Sequence, residues 1–101
     1  MTTKLSWLRC EATLGQFADE LVISGKDHSG EEFSLFAHRD FVQTEQAPHD
    51  GGSVPALLRV TELAKDGGLV LVRLPGQTLA NGQTITVRGE ELEDAPAWQE
   101  A

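Results

Sequence analysis

Val54-Pro55-Ala56-Leu57-Leu58-Arg59-Val60-Thr61-Glu62-Leu63-Ala64-Lys65 is the stretch on which the fold turns. Ser53 could cap a helix here, with Pro55 in its first turn and Gly67 as its stop. Against that, Asp66-Gly67-Gly68 has the chemistry of a tight hairpin turn. It leads straight into Leu69-Val70-Leu71-Val72-Arg73-Leu74, a clear strand. A strand near 57–64 is therefore favoured. A helix there would instead give three strands, a helix and two strands, the order of an OB-fold.

Period-two alternation governs the flanks. Residues 8–14 place Leu8, Cys10, Ala12 and Leu14 on one face and Arg9, Glu11 and Thr13 on the other. Residues 19–26 carry Leu21-Val22-Ile23, an apolar run expected of a strand covered on both faces. Asp27-His28-Ser29-Gly30 is a turn, since Asp and Ser bond locally and Gly accepts a positive φ. Strand 32–37 then alternates Phe33, Leu35 and Ala37 inward, with Phe36 on the other side, so 19–26 and 32–37 should form a hairpin. His38-Arg39-Asp40 punctuates the chain, and Gln43 to Ser53 is expected to be a surface loop around Pro48 and Gly51-Gly52. Pro75-Gly76 and Asn81-Gly82 turn the chain into a last strand at 83–88, with Ile85 and Val87 inward.

The sum is an all-β domain, a five- to six-stranded antiparallel barrel of SH3-like or split type, because small sheets hide their edges by curling. Residues 1–88 form the expected barrel and 89–101 an acidic C-terminal tail. At 101 residues there is room for one domain. No apolar run approaches the roughly 20 residues of a membrane helix, and the N-terminal residues lack the pattern of a signal peptide. A soluble, cytoplasmic protein is expected. The single cysteine, Cys10, allows no internal disulfide and reads as a small buried hydrophobe.

Net charge is −8. Five carboxylates, Glu90, Glu91, Glu93, Asp94 and Glu100, fall in residues 89–101 with no Lys or Arg, which leaves −3 on the rest. That field has the wrong sign for phosphate backbones, so nucleic acid is an unlikely partner, as is an anionic membrane. Six aromatic residues are present, and a core of this size should take most of the four Phe side chains.

Catalytic chemistry finds no foothold. No Ser or Cys has a nucleophile-elbow context, Gly51-Gly52 and Gly67-Gly68 lack phosphate-loop spacing, and His38-Arg39-Asp40 matches a kinase loop in letters only. No catalytic residue, metal ligand or cofactor site is assigned, and no enzyme activity is expected. His28, His38 and His49 lack ligand spacing, although His38, Asp40 and His49 are the residues a metal would use.

Two function classes remain. The first is a non-enzymatic module that binds another protein, with Trp98, Glu93 and Asp94 as contact residues: an acidic segment around one Trp suits a groove on a basic partner. The second is a small-ligand or metal-binding domain using the barrel mouth near His38 and the 43–53 loop. Thermal shift against metals and metabolites separates the two.

Overall fold

Val54–Asp66 is a single strand of 13 residues, the longest in the molecule. The structure, a computed structural model, describes residues 4–48, 52–76, 78 and 82–94. Eight strands run through these residues, with no α-helix among them: β1 (Lys4–Leu14), β2 (Glu20–Lys26), β3 (Glu32–His38), β4 (Val42–Thr44), β5 (Val54–Asp66), β6 (Leu69–Arg73), β7 (Thr84–Arg88) and β8 (Leu92–Glu93). Short 3₁₀ turns at Arg39–Phe41 and Gly89–Glu91 lead into β4 and β8. The OB-like alternative falls with the helix it required.

Why β5 is a strand is visible in its phase. Val54, Ala56, Leu58, Val60 and Glu62 are all buried, an unbroken period of two. Gly67 and Gly68 take φ of +57° and +89°, the two left-handed residues of a hairpin turn whose twist suits the flanking strands. Side chains at either position would be strained. The turn returns the chain antiparallel against β5, from Asp66↔Leu69 to Thr61↔Arg73, with one extra residue at Leu63. That bulge bends β5.

The strands form one antiparallel sheet in the order β3-β2-β1-β5-β6-β7, with β4 beside β5 and β8 beside β1. The sheet curls into a half-barrel. Its two ends meet at a bridge between Leu35 and Thr78 and at a hydrogen bond from the His28 amide to the Thr86 carbonyl, 2.9 Å. The expected β2–β3 hairpin is present in full register, Glu20↔His38 to Lys26↔Glu32.

The core is aliphatic. Leu8, Ile23, Leu35, Leu58 and Val72 are each at most 1% exposed, and burying such a side chain stabilises the fold by roughly 1.5–3 kcal/mol. Phe33, Leu35 and Ala37 point inward as their alternation requires.

Four expectations are corrected. Val22 is only half-buried, so the Leu21-Val22-Ile23 run is not covered on both faces. Gln43 and Thr44 belong to β4 rather than to a loop, because they pair with Leu57 and Ala56. Strands β4 and β8 raise the count above six. Finally, two of the four Phe side chains serve the core rather than most of them: Phe33 is buried and Phe41 packs half-buried against the core, while Phe17 and Phe36 are 68% and 47% exposed. Leu, Val and Ile fill so small a barrel, and Phe36 lies on the outward phase of β3.

The 27–30 turn is held by its aspartate. The Asp27 carboxylate accepts from the Ser29 hydroxyl (2.7 Å) and from the amides of Ser29 (2.9 Å) and Glu31 (3.0 Å). The Ser29 hydroxyl above all, aided by both amides and His28, holds this carboxyl below its usual 3.8. A lowered folded-state value means stability that is present above pH 3.8 and lost as pH falls through the lower value. Asp27→Asn, which keeps an acceptor but cannot titrate, should therefore flatten the acid limb of the stability profile. Urea midpoints measured from pH 5 to pH 2 check this, and an unchanged limb would refute it.

Candidate interaction surface

The outer face of β1, β5 and β6 carries side chains that a barrel wall does not need. Outward positions on β5 are Arg59 and Thr61, which lie opposite Trp7 and Leu5 of β1. Thr61 also lies opposite Arg73 of β6. Phe41, delivered by the 3₁₀ turn before β4, comes under Arg59, whose guanidinium carbon stands 4.7 Å from the ring centre. Such a cation–π contact fixes the plane of the guanidinium.

Leu5, Phe41, Arg59, Thr61 and Arg73 line a groove of about 210 Å³ with Pro75 and Gln83, and no carboxylate is among its lining residues. Leu5 beside it is 57% exposed. Neither Arg59 nor Arg73 has a carboxylate partner among the described residues. On a protein of net charge −8, this is a locally cationic and apolar patch.

Glu93 and Asp94, proposed from the sequence as partner contacts, lie at the edge of β1. β8 pairs Leu92 with Leu8 and Glu93 with Trp7. Arg9 donates to Glu93 at 3.0 Å, and Lys4 pairs with Asp94 at 2.8 Å. Each partner shifts the other in the Lys4–Asp94 pair, the lysine upward and the carboxyl downward. Both pairs are solvent-exposed, a setting where such bridges are worth roughly 0–1 kcal/mol. Trp98 and His49 lie outside the described residues. His38 Nδ1 accepts the Asp40 amide at 3.1 Å, and the described residues hold no group of three metal-ligating side chains.

No family model, curated protein or solved structure matches the chain.

Two further features were not singled out from the sequence. Glu62 stands in the inward phase of β5 with its side chain 8% exposed. The buried Ser6 hydroxyl donates to its Oε2. Among the described residues Oε1 has no hydrogen-bond donor, although the Lys65 ammonium lies 3.5 Å away. A carboxylate at the end of the series Val54, Ala56, Leu58, Val60 was the signal available. The second feature is a cleft of about 380 Å³ where β1 and β2 part beyond the Glu11↔Ser24 pair, lined by Cys10 and Gly25 and rimmed by Arg9, Glu11, Lys26 and Glu32.

Cys10 is free and directs Sγ toward the Ala56 carbonyl at 3.7 Å. Burial, with a smaller push from Glu11, raises its thiol to about 12. The thiolate is the reactive form. Maleimide labelling at pH 8 should therefore run more than about a hundredfold slower than for a free thiol and reach the normal rate in denaturant. Native-state labelling at the normal rate would contradict this placement. No described helix is long and apolar enough to cross a membrane.

Proposed function

We propose that the protein is a non-enzymatic binding module whose contact face is the outer surface of β1, β5 and β6. The observation that carries this is the groove between Arg59, stacked on Phe41, and Arg73, with Leu5 exposed at its margin. Aromatic residues and arginine are the types enriched where proteins bind one another. The proposal also covers the acidic segment from Glu93 to Trp98, which would engage a basic partner only by outcompeting Arg9 and Lys4. A small-ligand or metal site near His38 gains no support from the Asp40 amide, which already occupies one ring nitrogen.

Panning a random-peptide library against the immobilised protein tests the face. Peptides that bind saturably to the wild type and lose binding to Arg59→Glu and Arg73→Glu support it. Arg73 is exposed and Arg59 half-buried, and a wild-type amide spectrum controls for folding. A library that yields no saturable binder, or binders indifferent to both substitutions, would overturn it.

A further inference from the structure

We infer that the groove takes an extended peptide segment bearing two carboxylates at alternate positions, an acid-x-acid motif. This rests on the binding-module proposal and specifies the partner.

Geometry sets the spacing. Arg73 lies directly opposite Thr61, and Thr61 is two residues from Arg59 on the same face of β5. The two arginines are therefore diagonal neighbours, with backbones about 7 Å apart. An extended peptide presents every second side chain to the same side at about 6.8 Å intervals. One carboxylate then meets each guanidinium. The Arg59 guanidinium carbon stands 4.7 Å from the Phe41 ring centre, and the guanidinium has no carboxylate partner among the described residues, which leaves its N–H groups for a bidentate carboxylate. The residues on either side of each acid point away from the wall.

Charge selects the class of partner. The lining residues of the groove include two cations and no acid. The rest of the molecule is strongly negative, which repels a long polyanion but costs a short two-carboxylate segment little at physiological screening. A nucleic acid is for that reason disfavoured, and a phosphopeptide is the competing occupant for the same guanidinium edges.

The test uses the full chain, ¹⁵N-labelled, titrated with Ac-Thr-Glu-Leu-Glu-Phe-NH₂, its double Gln analogue, a phosphoserine version and a single-stranded oligonucleotide. The expected result is saturable shifts at Leu5, Trp7, Arg59 and Arg73 with the Glu peptide. Affinity should be roughly tenfold weaker for the Gln analogue and for Arg59→Gln or Arg73→Gln. Arg59→Lys keeps the charge but loses the fork and should retain only part of the affinity. Equal binding of the Gln peptide, or preference for the phosphopeptide or oligonucleotide, would overturn the acid-x-acid assignment. If library peptides without acids still bind this face, the binding module stands and only the partner chemistry fails. If neither kind binds, both fall.

Discussion

Gly25→Val is expected to lower the melting temperature by roughly 10 °C. Gly25 pairs with Phe33 across the β2–β3 hairpin. A Cβ at Gly25 would come within 2.8 and 2.9 Å of two ring carbons of Phe33 and 3.6 Å of the Cys10 Cβ. The ring lies over the glycine, filling the space a side chain would take. Two effects oppose each other. Valine favours a strand over glycine by up to about 1 kcal/mol. Displacing a ring that is only 4% exposed overpacks the core at about 1–3 kcal/mol. The clash should win because Phe33 is held in the core. Its signature is coupling: in a Phe33→Leu background the cost of Gly25→Val should shrink, since the smaller side chain leaves room. Calorimetry on the four proteins of that cycle checks this, and additive losses would sink it.

Ser6→Ala should cost about 1–3 kcal/mol, far beyond the loss of a serine hydroxyl at the surface. The hydroxyl is the hydrogen-bond donor to the buried Glu62 Oε2, and Oε1 has none among the described residues. Removing it leaves a carboxylate shielded from water, with two lysines at 3.5 and 4.0 Å as its compensation among the described residues. Replacing both partners should behave differently. Ser6→Ala with Glu62→Leu exchanges the polar pair for apolar surface and should recover most of the loss, because replacing both partners of a buried hydrogen bond by apolar groups can be nearly neutral. Urea unfolding at neutral pH with an unchanged m-value is the measurement. A double variant as unstable as the single one would show that the Ser6–Glu62 pair does more than satisfy itself.

Much of the fold was legible because one rule, alternation, operates wherever one face of a strand is buried. Leu8 and Ala12, Leu21 and Ile23, Phe33, Leu35 and Ala37, and Ile85 and Val87 all followed it into the core. β4 and β8, three and two residues long, are too short to show a period, and their pairing depends on where β5 and β1 lie. The phase of Glu62 was visible, but its serine partner sits 56 residues away. The groove was less legible still. Arg59 and Thr61 fall on the outward phase of β5, yet the stacking of Arg59 needs Phe41 from a different turn. Phe41 serves both, since it also packs against the core.

The long pairing of β1 with β5 also has a kinetic meaning. It joins the first described strand to one whose Glu62 lies 56 residues beyond Ser6, so a large loop must close before the central pair of the sheet forms. The β2–β3 and β5–β6 hairpins carry no such penalty. Chains dominated by distant pairings fold in milliseconds to seconds rather than microseconds. If the Ser6–Glu62 contact forms after the transition state, losing it accelerates unfolding and leaves the refolding rate nearly unchanged.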